Sequence, residues 1–224
     1  MKNHFLGLFI FLYLPKFKNY FIMKKFIFTA VLLITALGHS QEREKGNVEL
    51  APVLGVGFAN YYGGNTTSAN KAVTRATFGA NLDYYFNEKW SLRSGLMYQM
   101  YGTEVRLFGD HGEDNLKYIT IPVNANWHFG STKNWNLNFG PSFSFLTAAE
   151  STINGTTIDI KDAVNTFQLG LNLGIGYKIE VSEKFGISIS YHETLGLTEI
   201  SKSDEVSFKN WQRAFLVAAV FKLD

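Results

Sequence analysis

His192 is the strongest catalytic candidate in this 224-residue chain. Its imidazole could act as a general base, and Glu193 and Thr194 follow it directly. If this segment is a strand, however, adjacent side chains point to opposite faces, so His192 and Glu193 cannot form a catalytic dyad. A partner for the histidine would have to come from a neighbouring strand, which the sequence alone does not identify. We therefore predict a polar histidine without catalytic residues around it, and a protein that is not an enzyme.

A second candidate is an acidic cluster in a predicted loop, formed by Asp110, His111, Glu113 and Asp114. Oxygen-rich loops suit Ca²⁺, but this spacing does not match an EF-hand loop. The chain has no cysteine, which excludes disulfide bonds and thiolate metal sites. We therefore predict a solvated loop, no metal site and no cofactor.

The charge balance argues against a nucleic-acid partner. Five of the 21 basic residues lie in residues 1–40, which hold no acidic residue, so the rest of the chain carries 16 basic and 19 acidic side chains. A nucleic-acid binder usually presents a concentrated basic face. Hydrophobic residues make up 46% of the chain, and this excludes a disordered protein because so apolar a chain can offset its ordering entropy by burial.

The N-terminal residues carry the pattern of a secretory signal peptide over residues 23–40. Two lysines precede an apolar run over residues 26–37, and small residues occupy positions −3 and −1 of a cut before Gln41. The apolar run is too short to span a bilayer, which needs about 20 apolar residues. Residues 1–22 are then an extension that results from a start codon placed too early, and a tandem membrane anchor is the alternative. The predicted mature domain is 41–224.

From Asn47 onward the sequence alternates with period two, as β-strands do. In residues 167–181 the odd positions are all apolar, and the even positions are glycine or polar. The same alternation predicts eight strands of about 10 to 16 residues, over residues 48–59, 76–86, 90–105, 119–129, 135–145, 167–181, 185–192 and 211–223. Tight turns alternate with longer polar loops over residues 60–75, 107–115, 149–164 and 194–209. This asymmetry is typical of a barrel that inserts from one side of a membrane.

The size of the side chains decides which face of the sheet points outward. An eight-stranded barrel has room inside only for packed side chains, so bulky apolar residues on one face of every strand would overfill it. The apolar face therefore points outward, where only lipid can cover it. Aromatic residues lie near both ends of the strands, as interfacial girdles would. We predict an all-β fold: an eight-stranded antiparallel up-and-down transmembrane β-barrel.

The inward faces of the predicted strands carry seven ionisable residues, all in the half near the short turns: Glu49, Asp83, Arg93, His128, Lys178, Glu180 and Lys222. Because buried charges must be paired, we predict an ion-pair and hydrogen-bond network that fills a narrow lumen. An ion path or a proton relay is the alternative interpretation.

Three segments resemble the PorT-like outer-membrane β-barrel proteins of the Bacteroidota. These are residues 82–102 (LDYYFNEKWSLRSGLMYQMYG), residues 117–129 (KYITIPVNANWHF) and residues 191–200 (YHETLGLTEI). The C-terminal strand also resembles the recognition signal of outer-membrane barrels, which usually ends in an aromatic residue, whereas Asp224 ends this chain. The resemblance implies location in the outer membrane.

The sequence therefore predicts a non-enzymatic outer-membrane protein with a structural, assembly or loop-mediated partner-binding role. Its expected partners are outer-membrane lipid and an envelope protein. Two alternatives remain at this point: an enzyme that modifies lipid or lipopolysaccharide with His192 as its base, and a pore for small solutes.

Overall fold

The structure, a computed structural model, describes residues 43–64, 70–107, 110–205 and 207–223. The predicted extension over residues 1–22 and the predicted signal peptide over residues 23–40 lie outside these residues. Within the described ranges, no helix is long and apolar enough to cross a bilayer.

Among the described residues, strands account for nearly all of the regular structure. They are β1 (Val48–Tyr62), β2 (Asn70–Lys71), β3 (Val73–Asn87), β4 (Trp90–Tyr101), β5 (Glu104–Leu107), β6 (Asp110–Phe129), β7 (Trp135–Ile153), β8 (Thr156–Asp159), β9 (Phe167–Glu180), β10 (Phe185–Gly196) and β11 (Lys209–Leu223). One short 3₁₀ helix, Lys161–Ala163, lies between β8 and β9.

The eight long strands close into one antiparallel barrel in the order β1-β3-β4-β6-β7-β9-β10-β11. The first and last strands pair along their length, from Val48 opposite Leu223 to Tyr62 opposite Lys209. This closure leaves no strand edge with unsatisfied backbone groups around the barrel. The predicted eight-stranded antiparallel barrel is confirmed.

The outward and inward faces of the strands differ in exposure as the alternation predicted. Outward apolar side chains are exposed, and Leu54 and Phe215 are 68% and 59% accessible. Most inward positions are polar and buried, and Asn126, Asn138 and Ser142 have no accessible surface. Inward positions of β1 and β11 also carry buried apolar side chains, among them Val53, Leu216 and Val220. The exterior of the barrel is therefore apolar, and its interior is polar except for these apolar clusters.

Aromatic residues form a girdle at the short-turn end of the barrel. Ring contacts run across four neighbouring strands, with centroid distances of 6.3 Å for Trp90–Trp127, 6.3 Å for Phe129–Trp135 and 4.9 Å for Trp135–Tyr177. Aromatic pairs also lie nearer the long-loop end: Phe78–Tyr98, Phe145–Phe167 and Tyr191–Phe215. Both girdles confirm the sequence prediction.

Two of the predicted long loops are wrong, because strands continue through them. Residues 107–115 belong largely to β6, which begins at Asp110, and residues 149–164 contain the end of β7 and all of β8. These parts of β6 and β7 form an open five-stranded sheet with β2, β5 and β8, which we call the extension. Here the apolar alternation fades, so the sequence carries no strand signal although the cross-strand hydrogen bonds persist.

The predicted strand over residues 90–105 is also interrupted, at Gly102. This glycine has a φ of +148°, and a Cβ at this position would collide with the carbonyl oxygen of Asp114. The backbone therefore leaves β4 at Tyr101 and re-enters the sheet as β5 at Glu104.

Candidate functional site

Four charged side chains form a closed ring of ion pairs at the short-turn end of the lumen. Glu49 on β1 lies 2.7 Å from Lys178 on β9 and 3.8 Å from Arg43, which precedes β1. Glu180 on β9 completes the ring, 3.6 Å from Lys178 and 3.2 Å from Arg43. We call these four residues the charge ring; each has 4 to 7% of its surface accessible. Two positive and two negative charges alternate, so the ring is neutral.

Beside the charge ring, Asp83 and Arg93 form a second ion pair between β3 and β4, with Asp83 opposite Glu49 in the β1–β3 register. The Nε and Nη2 atoms of Arg93 each lie 3.0 Å from Oδ2 of Asp83. The other carboxylate oxygen accepts hydrogen bonds from Ser91 Oγ at 3.0 Å and from Asn126 Nδ2 at 2.9 Å. Asp83 is therefore held as a paired, fully hydrogen-bonded carboxylate.

Ser91, His128 and Asp83 bring together the residue types of a nucleophilic triad, but in the wrong order. His128 Nε2 lies 3.0 Å from Ser91 Oγ, and the same hydroxyl donates its proton to Asp83. Since the hydroxyl has only one proton, His128 Nε2 must be the donor in its contact, and it cannot act there as a base. In a triad the acid orients the histidine and not the serine. This arrangement is structural.

The predicted lumen network of ion pairs and hydrogen bonds is confirmed for six of its seven ionisable residues. Lys222 is the exception: it lies opposite Glu49 in the β1–β11 register and forms no ion pair with another described residue. Sequence reasoning missed Ser91 and Asn126, although both occupy inward positions of the alternation. It also missed Arg43, which lies outside every periodic segment.

His192 and Glu193 lie on opposite faces of β10, as the alternation predicted. His192 points into the lumen, and it forms no hydrogen bond with another described side chain. Glu193 points outward, where its Oε1 accepts a hydrogen bond from Trp211 Nε1 at 2.7 Å and lies 3.7 Å from Arg213 Nε. No serine or carboxylate within the described residues therefore activates or orients His192.

Two small cavities lie in the lumen. They have volumes of about 30 and 40 Å³ and share part of their lining, which includes Asn81, Arg93, His192 and Leu216. Each has room for about two or three water molecules.

The long-loop end of the lumen is closed by an apolar cluster, which we call the outer cap. Its residues are Ala59, Tyr61, Val73, Tyr101, Leu116, Tyr118, Leu146, Ala149, Val164 and Ile200. Tyr101 and Tyr118 pack edge to face at 5.6 Å, and Phe208 stacks on Tyr61 at 4.9 Å. Since the charge ring lies at the other end, packed side chains of the described residues occupy both ends of the lumen.

In the extension, the members of the predicted acidic cluster contact different neighbours. His111 and Glu113 approach Glu104 of the neighbouring β5, and the ligand atoms of these three residues lie within 4.8 Å of one another, close enough to hold a metal ion. His111 Nε2 also lies 3.4 Å from Glu104, and Arg75 lies 2.9 Å from Glu113. Asp114 instead accepts a hydrogen bond from Tyr61 in the outer cap, at 3.1 Å.

Comparison with known proteins gives one family. A family model described as "Outer membrane protein beta-barrel domain" matches residues 39–202. No curated protein matches the chain in sequence.

Solved structures of bacterial outer-membrane barrels are similar to this chain. OprG of Pseudomonas aeruginosa is 12% identical, with 82% of this chain and 98% of that chain covered and a TM-score of 0.48. For Neisserial surface protein A the identity is 15%, the coverage 76% and 94%, and the TM-score 0.45. For Ail of Yersinia pestis the identity is 16%, the coverage 79% and 99%, and the TM-score 0.40.

Proposed function

Because this chain belongs to the family of outer-membrane β-barrel domains and is located in the outer membrane, we propose that it is a non-enzymatic protein that binds an envelope partner through its extension. The observation that carries this proposal is the extension itself: β6 and β7 continue beyond the barrel, and β2, β5 and β8 broaden the sheet there. In outer-membrane barrels the long-loop end faces outward from the cell and the short turns face the periplasm. The extension is then presented to the cell exterior.

One hairpin of the extension has the chemistry of a protein-binding surface. All four residues of β8 are exposed, and this edge strand pairs with β7 alone among the described strands. Ile153 and Ile158 are 50% and 48% accessible, and the register places them diagonally on one face of the hairpin. Exposed isoleucines beside an open strand edge favour a protein partner over a small polar ligand.

The geometry of the lumen weighs against an enzyme that modifies lipid or lipopolysaccharide. Such an enzyme would need a nucleophile or an orienting carboxylate in contact with its base. His192 contacts neither among the described residues, and the proton of Ser91 is engaged by Asp83. A solute pore is disfavoured in the same way by the two small cavities and the closed ends.

The matched experiment compares the two faces of the β7–β8 hairpin. The protein is isolated from cross-linked outer membranes as the native chain, as Ile153→Ser/Ile158→Ser, and as Thr152→Ala/Thr157→Ala. The two threonines contact each other at 2.9 Å on the opposite face, which makes them the control. We expect one stoichiometric partner with the native and the threonine variant, and its loss with the isoleucine variant. Recovery with all three chains, or with none, would contradict the proposal.

Three finer assignments are proposed on the sequence evidence. The segments over residues 82–102, 117–129 and 191–200 support a place among the PorT-like proteins, and the apolar exterior supports contact with outer-membrane lipid. The pattern over residues 23–40 supports a signal peptide. N-terminal sequencing of the protein from outer membranes is expected to begin at Gln41. A peptide from residues 1–22 in the precursor would refute a start at Met23.

A further inference from the structure

We propose that Arg43 closes the periplasmic end of the lumen. Its guanidinium group fills a site on the inner wall of the barrel and so holds residues 43–47, directly before β1, against this opening. We call Arg43 the latch. This inference does not depend on the proposed partner-binding function. It rests on the charge ring, the turn before β1 and the cavity behind the latch.

Among the described residues of the charge ring, the barrel strands supply two carboxylates and one cation. Glu49 lies on β1, and Glu180 and Lys178 lie on β9. Arg43 brings the second cation, with Nη2 3.2 Å from Glu180 and Nε 3.8 Å from Glu49. Since buried carboxylates are stabilised by paired cations, this part of the wall is complementary to one added positive charge.

The site also fits the shape and the donors of a guanidinium group. Nη1 of Arg43 donates to the carbonyl oxygen of Lys133 at 2.7 Å, on the turn between β6 and β7. Its Cζ lies 5.6 Å from the ring centroid of Tyr85, whose hydroxyl donates to Glu49 at 3.0 Å. Arg43 therefore connects β1, β3, β9 and the turn before β7 at this end of the lumen. A lysine, with one point charge, could not make all these contacts.

A tight turn directs the latch into the mouth. Gly46 has a φ of +94°, which lets the chain reverse before β1, and its N–H donates to the carbonyl of Tyr85 at 2.9 Å. Asn47 reinforces the turn by accepting a hydrogen bond from the N–H of Glu44 at 2.9 Å. With the predicted cut before Gln41, Arg43 is the third residue of the mature chain. The latch can then withdraw without unfolding a strand.

Behind the latch lies the cavity of about 30 Å³, which Arg43 itself lines together with Asp83, Arg93, Ser190 and His192. At the far end of the lumen the outer cap blocks access from outside the cell. Withdrawal of Arg43 therefore opens this cavity to the periplasm alone.

The test measures access to the cavity with an introduced thiol. The natural chain has no cysteine, so Ser190→Cys gives a single reactive position beside the cavity. The mature protein, isolated from outer membranes and reconstituted in lipid vesicles, is labelled with a small cationic methanethiosulfonate reagent. We expect Arg43→Ala to raise the labelling rate at least about tenfold, because access no longer requires local opening of the charge ring. Lys45→Ala removes an exposed cation from the same turn and is the matched control, with no expected change.

A second variant distinguishes the loss of closure by Arg43 from an effect of the unpaired charge on folding. Arg43→Ala leaves a negative charge in the ring and can impair folding, whereas Arg43→Ala/Glu180→Gln restores neutrality without restoring the latch. We expect this double variant to fold, as judged by its β-sheet circular dichroism, and to be labelled as fast as a folded Arg43→Ala variant. Labelling of the double variant at the native rate would overturn the proposal, and so would an equal increase with Lys45→Ala.

Discussion

The guanidinium group of Arg93 lies 3.0 Å from the carboxylate of Asp83, and the arginine lines both lumen cavities. The pair adjoins the charge ring, because Asp83 lies opposite Glu49 in the register of β1 and β3. The outer cap lies at the other end of the lumen.

Removing one member of this pair is expected to destabilise the barrel strongly. Arg93→Ala leaves Asp83, which is 2% accessible, without its cation, and this is expected to lower the free energy of unfolding by about 3–5 kcal/mol. The double variant Asp83→Asn/Arg93→Met removes both charges and should lose much less. Urea unfolding in lipid vesicles measures both. Equal losses for the two variants would show that the charge pairing is not the cause.

The lipid-facing surface can be mapped with an introduced charge. Leu54 lies at the middle of β1 and is the most exposed large apolar side chain on that strand. Leu54→Arg is expected to lower the free energy of unfolding in vesicles by about 2–4 kcal/mol, as a charge does near the bilayer midplane. Ile158→Arg, in the extension, is the control and should change it by less than about 0.5 kcal/mol. A similar loss of stability at both positions would contradict the prediction that Leu54 faces lipid and Ile158 does not.

Gly102 is expected to tolerate no side chain. Gly102→Ala places a Cβ against the carbonyl of Asp114 at a φ of +148°, so we expect a loss of about 1–3 kcal/mol and a disturbed junction of β4 with β5. Gly64→Ala is the control because nothing lies within 4 Å of its Cβ. The same unfolding experiment compares the two variants, and an equal stability of both would contradict the steric argument.

In planar bilayers the native protein is expected to form no large, stable channels. The two cavities, of about 30 and 40 Å³, hold water but offer no route for a hydrated ion past the charge ring and the outer cap. The double variant Tyr101→Ala/Arg43→Ala removes one large side chain from the outer cap and one from the charge ring, and it should raise the conductance. Steady, porin-sized conductance steps of the native chain would revive the alternative of a solute pore.

The predictability of the site differs sharply among the residues that form it. Glu49, Asp83, Arg93, Lys178 and Glu180 were placed in the lumen from their inward positions in the period-two alternation. Arg43 was not, because the turn at Gly46 and not a strand directs it inward. The pair of Glu104 with His111 was missed as well, since β5 and β6 bring these residues together across a strand pairing that has no apolar signal.

By itself, the amino-acid sequence determined the closed barrel, its lipid-facing exterior and the polar lumen. Alternation is a local property: each strand's side chains leave its two faces in turn, and eight strands can enclose only small groups. Only the tertiary structure decided which lumen charges pair, how both ends close and how far the sheet extends beyond the barrel. These features depend on strand register and on turns that bring distant residues such as Arg43 and Glu180 within 3.2 Å of each other. Register and turn geometry arise from the whole sheet, so no single segment of sequence encodes them.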